Sequence, residues 1–364
     1  MKRILALLLA AVMVFSFVGC NKGSDNSSSS GSGSTTPSTP TPAPPPATGG
    51  GSSDGLTPIR DQSESSGVIY VVSKGNTGGF WSLSEKGVLS MNKAAEIGGT
   101  EVVLYNPLPG GDALTQQVEM VEAALENNPL ALVVAARDMD VLAPLTDKAY
   151  DMGIPVVTYD SDVNSDKYDY FFASDNVGIG VQVGKQVAEQ LGGSGLFAVF
   201  SGTAGADTEL KRENGFREGL LAGGLTEVSG GTQYNNYDDN RAFSQASDML
   251  TANPDIDAFV SAFMVLALNI SVAIKDKDIY NPGDIINVTF DQNDDTLKLT
   301  EEGWITGFIQ QDPYHMVRWA IEAAYKLAVG QEERTAKKYV PTDWIFVTPD
   351  NVNDDDVQKF MFPA

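Results

Sequence analysis

Three polar and three aromatic residues of this chain form a set suited to a ligand rich in hydroxyls: Asp160, Asp291 and Gln311 with the rings of Phe80, Trp81 and Tyr237. A carboxylate accepts hydroxyl hydrogen bonds and can take two at once. Such charge-assisted bonds are stronger than neutral ones. Aromatic faces cover the weakly polar C–H surface of a sugar and exclude water. Plainer roles exist for each. Phe80 and Trp81 could be core residues opening a helix, Asp291 could only begin the helix after it, and Gln311 could be a backbone-bonded hinge residue. The surplus of acids also leaves a second chemistry open: an amine or quaternary ammonium would pair with Asp160, Asp162 or Asp207 and stack on aromatics.

The elements that must position these groups alternate in type from Gly67 onward. Apolar runs over 68–72, 101–105, 130–135 and 154–158 read as buried strands. Helical patterns over 80–97, 112–126 and 141–152 separate them. The run Ile154–Thr158 ends in Tyr159-Asp160-Ser161-Asp162, and a short run, Tyr170–Ala173, leads to Ser174-Asp175-Asn176. The second half repeats the pattern, with strands over 196–200, 225–233, 256–260, 285–290 and 305–309. Its helices cover 177–191, 209–222, 240–250, 265–273, 295–302 and 313–328. Short strands around Tyr339 and over 344–347 finish the chain. Strands spaced by helices of this length make parallel βαβ units. The expected fold is α/β, with two doubly wound Rossmann-like lobes of parallel sheet and a cleft between them. In such sheets ligands bind outside the carboxyl ends of the strands, where Asp160 and Asp291 fall.

The order and spacing of several short motifs resemble the type I periplasmic binding proteins, specifically sugar binders of the ribose-binding type. The resemblance covers nearly all of 67–348. It is carried by Gly79-Phe80-Trp81, Tyr159-Asp160, Ala173-Ser174-Asp175-Asn176, Arg212 with Gly215-Phe216, Tyr237-Asp238, Thr289-Phe290-Asp291 and Gln311-Asp312-Pro313-Tyr314. It implies a hinge of three crossings, near Ala173–Asn176, Gln310–Pro313 and Lys337–Thr342. The first lobe would then hold 67–174 with about 312–339, and the second 175–311 with about 340–364. Phe80, Trp81, Asp160, Asp162, Asp207, Tyr237, Phe263, Asp291 and Gln311 are the expected ligand contacts, Asp207 through the amine chemistry.

Three positions depart from the ribose-binding pattern. Ser161 stands where arginine is frequent, Leu210 aligns with a second pocket arginine, and Phe263-Met264 replace an Asn-Asp pair. The expected pocket therefore keeps its acids and loses cationic and amide donors. D-ribose itself fits it poorly.

The N-terminus has its own logic. Lys2 and Arg3 precede an apolar run, Ile4–Val18, and then Gly19-Cys20. This is the form of a signal peptide rather than of a spanning helix. Phe-Val-Gly-Cys resembles the lipoprotein box, in which the cysteine is lipidated and anchors the chain. Residues 21–66, rich in Ser, Gly, Thr and Pro, cannot bury a core and read as a disordered tether. At about 5–6 Å times the square root of its length, its ends average about 35–40 Å apart.

Composition narrows the partners. The chain has 364 residues and a net charge of -24, which repels phosphate backbones and argues against nucleic acid. Asp291–Glu302 and the loop from Asp160 copy part of a calcium-loop spacing but place Thr296 and Ser165 where glycine is needed. His315 is the one histidine, so there is no second imidazole to build a histidine metal site. The glycine clusters at 192–195 and 202–205 lack a phosphate-loop lysine, so no cofactor is expected. Asp160 and Asp162, two apart on one loop, are badly placed to flank a glycosidic bond as an enzyme would. The chain is thus expected to be a monomeric, extracytoplasmic, lipid-anchored solute receptor. Its partners would be a sugar-like ligand and an ABC permease with a separate ATPase. Presentation of bound ligand to a signalling receptor is the alternative.

Overall fold

The computed structural model describes residues 58–363 except 60, 62, 64, 77, 110, 206 and 335. Cys20, the signal segment and most of the expected tether lie outside the described residues. Two six-stranded sheets organise the chain. The first has the order β11-β5-β4-β3-β1-β2, built from β1 (Val68–Val72), β2 (Glu101–Tyr105), β3 (Ala131–Val134), β4 (Val156–Tyr159), β5 (Tyr170–Ala173) and β11 (Lys338–Pro341). All its pairings are parallel. The second has the order β12-β10-β9-β8-β6-β7, from β6 (Leu196–Ser201), β7 (Thr226–Tyr234), β8 (Ala258–Ser261), β9 (Ile286–Phe290), β10 (Gly307–Gln311) and β12 (Trp344–Val347). It is parallel except where β12 runs antiparallel to β10.

Both faces of each sheet are covered, which is why the strands read as unbroken apolar runs. Ile69 and Val71 point into one core, Tyr70 and Val72 into the other. In the second lobe Phe197 and Val199 face one core, Ala198 and Phe200 the opposite one. Burying each large side chain of this kind stabilises by about 1.5–3 kcal/mol. In chain order the α-helices of the described residues are α1 (Gly78–Met91), α2 (Ala113–Glu126), α3 (Met139–Asp151), α4 (Asn176–Gln190), α5 (Asp207–Ala222), α6 (Asp239–Ala252), α7 (Met264–Asp276), α8 (Asp294–Glu301), α9 (Pro313–Ala328) and α10 (Asp355–Met361). Helices α4 and α5 meet through glycines. A Cβ at Gly215 would lie 2.4 Å from the Val177 carbonyl oxygen, so the glycine before Phe216 is required by helix contact.

Several boundaries differ from expectation for local reasons. The first helix stops at Met91 instead of continuing to Ile97. Lys93 and Gly98 adopt left-handed φ of 60° each around a short 3-10 turn, Ala95–Ile97. β10 runs on to Gln311, so this residue is the strand's last rather than a loop residue. The helix Asp355–Met361 follows the final strands and was not foreseen. The fold also begins ahead of Gly67: Ile59 packs against the first core and the Ser66 N–H donates to the Asn128 carbonyl.

Within the described residues the chain passes between the sheets three times. The first passage joins β5 to α4 and the second joins β10 to α9, which packs on the first sheet. For the third, β11 pairs with β5 through Pro341 and β12 begins at Trp344 in the other sheet. It is therefore narrower than the expected Lys337–Thr342, and falls at Thr342 and Asp343. There the Thr342 N–H donates to the Ala173 carbonyl at 3.0 Å, binding the first and third passages together.

Candidate functional site

Asp160 and Asp291 occupy equivalent places in the two lobes. Each follows directly on a strand, β4 and β9, and each has a left-handed backbone, φ 59° and 62°. Non-glycine residues seldom adopt this conformation, and Asp is among those that tolerate it. Each N–H still pairs with the neighbouring strand, to Phe172 O and to Ile309 O, both at 2.8 Å. The chain therefore leaves the sheet at the acid itself, and the carboxylate leaves with it.

Each carboxylate has fixed partners of its own. Lys74, in the turn after β1, places Nζ 2.7 Å from Asp160 Oδ2 and donates to Ser161 Oγ as well. The Ser161 hydroxyl donates to Asp160 Oδ2 at 2.6 Å. In the other lobe, Gln311 Nε2 donates to Asp291 Oδ1 at 2.9 Å and Oδ2 at 3.1 Å. A guanidinium nitrogen of Arg212 lies 3.6 Å from Asp291 Oδ2. Arg212 is buried, lies over the Phe290 ring at 4.1 Å, and donates to Asn176 Oδ1 and to the Ala262 carbonyl, each at 2.8 Å. Burial pushes the Asp291 carboxyl above its ordinary range, while Arg212 and Gln311 pull it back. The Asp160 charge raises it too and Lys74 lowers it, so the two acids feel each other across the cleft.

The expected loss of cationic donors is thus corrected. Lys74 and Arg212 restore positive charge beside both acids, from positions that do not align with the missing arginines. Sequence reasoning missed Lys74 because a lysine just past a strand is ordinarily solvent-facing. The one available signal was Gly75: a Cβ there would sit 2.5 Å from the Trp81 indole nitrogen, so the turn must lie against that ring. Arg212 was visible as a motif but not as the partner of Asp291.

The aromatic residues divide between the lobes. Phe80 and Trp81 are half-buried against the first core, with ring centroids 4.9 Å apart. Lys74 Nζ stands 5.8 Å from the Trp81 ring. Tyr237 and Phe263 lie together in the second lobe, centroids 5.6 Å apart, with Tyr237 largely exposed. The Tyr237 hydroxyl donates to Glu209 Oε1 at 2.5 Å. Burial and that carboxylate push its phenol up to about 12. Glu209 also accepts from the N–H groups of Gly202 and Thr203 and so fixes the loop after β6, a role the sequence did not reveal. The lobes touch at Gly79, where a Cβ would come 2.4 Å from the Gln292 carbonyl oxygen.

Two other expected contacts, Asp162 and Asp207, have partners of their own. The Asp162 carboxylate accepts from the Tyr168 hydroxyl at 2.6 Å and from Thr158 Oγ1 at 3.2 Å, and burial raises it above its ordinary range. Asp207, in the first turn of α5, is about half-exposed and pairs with Lys211 at 2.6 Å, one helical turn on. Nor does Asp291 cap the following helix. Asn293 is the N-cap of α8 and accepts from the Thr296 N–H. The Asp291 carboxylate is thus held by Gln311 and Arg212 and not by the helix that follows it.

The model of the family described as "Periplasmic binding protein domain" matches residues 69–332. The ribose import binding protein of Bacillus subtilis strain 168 is 27% identical over 255 residues, covering 70% of this chain and 79% of that protein. The D-allose-binding periplasmic protein of Escherichia coli K12 is 24% identical over 281 residues, 75% of this chain and 86% of its own. Among solved structures, an ABC transporter solute binding protein from Agrobacterium vitis with bound D-fucose is 28% identical with a TM-score of 0.68. It covers 81% of this chain and 100% of that one. A second from the same organism, bound with alpha-D-tagatopyranose, is 25% identical with a TM-score of 0.69, covering 82% and 99%.

Proposed function

The chain belongs to the periplasmic binding protein family, and on that premise we propose that it captures a neutral sugar or sugar-like small molecule between its lobes and delivers it to an ABC importer. It is a binding protein and not an enzyme. The observation that carries the reading is the matched pair of acids. Asp160 and Asp291 stand at strand ends of opposite lobes, each beside a cation, so the polar site is close to neutral and still rich in acceptors. A neutral polyhydroxyl ligand fits that balance. A cationic amine would have to compete with Lys74 and Arg212 for the same carboxylates.

Sugars bound in the two similar Agrobacterium structures support the ligand class. In this reading Phe80, Trp81, Tyr237 and Phe263 cover the sugar's C–H faces, and Asp160, Asp291 and Gln311 take its hydroxyls. A ligand bonded to acids of both lobes links lobe closure to binding, with the three crossings as the hinge. In this reading the permease and the ATPase are separate chains. The protein acts outside the cytoplasm, as a monomer anchored by lipid on Cys20.

A thermal-shift screen of pentoses, hexoses, polyols, amino sugars and small amines tests the reading. A ligand at 100 times its dissociation constant adds about 2.7 kcal/mol of stability. Stabilisation by neutral sugars is expected. Stabilisation by cationic amines alone would overturn the neutral-sugar reading.

A further inference from the structure

A cavity of about 370 Å³ opens beside Asp160 on the side of the chain crossings. Its volume lies within the range of small-molecule pockets, about 300–1,000 Å³. Both lobes line it: Tyr168, Phe171 and Tyr339 from the first, Thr208 and Lys211 from the second, with Ser174–Val177 of the first crossing between them. Phe80, Trp81, Tyr237, Asp291 and Gln311 do not line it. Asp160 lines it as well, and the Asp160 charge is felt by Asp291 in the other lobe.

The lining has the mixed character of a sugar subsite. Phe171 and Tyr339 lie with ring centroids 5.6 Å apart, and Lys337 Nζ is 5.5 Å from the Tyr168 ring. Four acids, Asp160, Asp162, Asp175 and Asp207, face two lysines, Lys211 and Lys337. Asp160 and Asp207 are each paired with a lysine, Lys74 and Lys211, and the lining still repels an anionic group and offers acceptors to hydroxyls. Because the walls come from both lobes, the cavity takes this shape only when the lobes are together as they are here.

We propose that this cavity holds the second ring of a neutral disaccharide whose first ring lies between Asp160 and Asp291. The proposal rests on the sugar-binding reading of the cleft and extends it from a sugar to a two-ring ligand. In this arrangement Asp160 stands at the junction of the two rings. Phe171 and Tyr339 cover the second ring as Phe80 and Trp81 cover the first.

Calorimetry on the folded wild-type protein tests this with two probe sets. One contains D-ribose, D-allose, D-fucose, D-tagatose, D-glucose and D-galactose. The other contains lactose, melibiose, maltose and cellobiose. At least one disaccharide is expected to bind as tightly as its component monosaccharides, or more so. Thr208→Trp, in the first turn of α5, fills the cavity. It should weaken the disaccharide tenfold or more and change monosaccharide affinity by less than twofold. Lys211→Trp, on the half-exposed wall, serves the same purpose if the first variant does not fold. Monosaccharides that bind while every disaccharide is rejected would overturn the proposal and leave the cleft reading standing. So would a filled cavity that weakens both ligand classes alike, or neither. If no sugar of either set binds, the cleft reading fails and this proposal falls with it.

Discussion

The Lys74 ammonium stands 2.7 Å from the Asp160 carboxylate and also donates to the Ser161 hydroxyl, so one side chain from the turn after β1 neutralises and orients the tip of β4. The same nitrogen lies 5.8 Å from the Trp81 ring. In the proposed site the Lys74 charge sets which ligands Asp160 accepts.

Replacing Lys74 with Met should reverse that preference. Neutral sugars lose a donor and meet an unpaired carboxylate, at a cost of about 1–3 kcal/mol, or about 5- to 150-fold in affinity. Amino sugars should gain, because the freed Asp160 charge becomes available to them. Titration of wild type and variant with a neutral sugar and its amino analogue measures both changes. A parallel loss for the two ligands would show that Lys74 acts only through local structure.

Asp291→Ala should weaken sugar binding by about 1–3 kcal/mol while leaving the ligand-free melting temperature nearly constant. Burial already raises this carboxyl, and Arg212 keeps its hydrogen bonds to Asn176 and the Ala262 carbonyl when it is removed, so the folded state loses little. Asn293→Ala should do the opposite, because Asn293 caps α8: about 0.5–2 kcal/mol of stability lost and affinity kept. Paired calorimetry and melting curves separate the two roles. A melting temperature that fell for Asp291→Ala with unchanged affinity would remove Asp291 from the site.

Gly215→Ala tests the contact between α4 and α5. Alanine favours a helix over glycine by about 1 kcal/mol. Here its methyl would lie 2.4 Å from the Val177 carbonyl oxygen, which is backbone and cannot rotate away. Overpacking of this kind costs about 1–3 kcal/mol, so net destabilisation is expected in a denaturant melt. A stabilised variant would mean that the helices separate freely.

The buried Asp169 carboxyl should make stability depend on pH. Burial raises it to about 6, against the pull of Arg334, whose Nε lies 2.9 Å away. The unfolded chain titrates this acid near 3.9, so the folded state holds the proton more tightly. Below about pH 4 the group costs nothing; the cost grows as pH rises to about 6 and then levels, at no more than about 3 kcal/mol. Asp169→Asn lacks this titration. The unfolding free energy of wild type minus that of the variant should therefore fall between pH 4 and pH 6.5. A difference that rose over that interval would place the carboxyl below its ordinary value.

Cys20→Ser should release the protein from the membrane fraction without altering its melting curve. Retention of the variant on the membrane would rule out the lipid anchor.

The architecture and half of the site were legible in the chain because they depend on local pattern. Unbroken apolar runs such as Val68–Val72 and Ile154–Thr158 can be satisfied only by strands covered on both faces, and the helical spacing between them requires a parallel sheet. Asp160 and Asp291 could be found because each directly follows such a run. Partnership was another matter. Lys74 follows β1 as any surface lysine might, and only the fold of the turn against Trp81 brings its ammonium to Asp160. Arg212 and Asp291 are 79 positions apart in sequence, and the stacking of α5 on the second sheet puts them 3.6 Å from each other. Asp162 and Asp207 carry the same functional group as Asp160. The tertiary structure gave them to Tyr168 and Lys211, because a carboxylate takes the nearest donor that the backbone presents. Residue type and strand position thus determined which groups reach the cleft edge. Which charges meet there was decided by packing, since the energy of a pair depends on a distance between segments that no local pattern encodes.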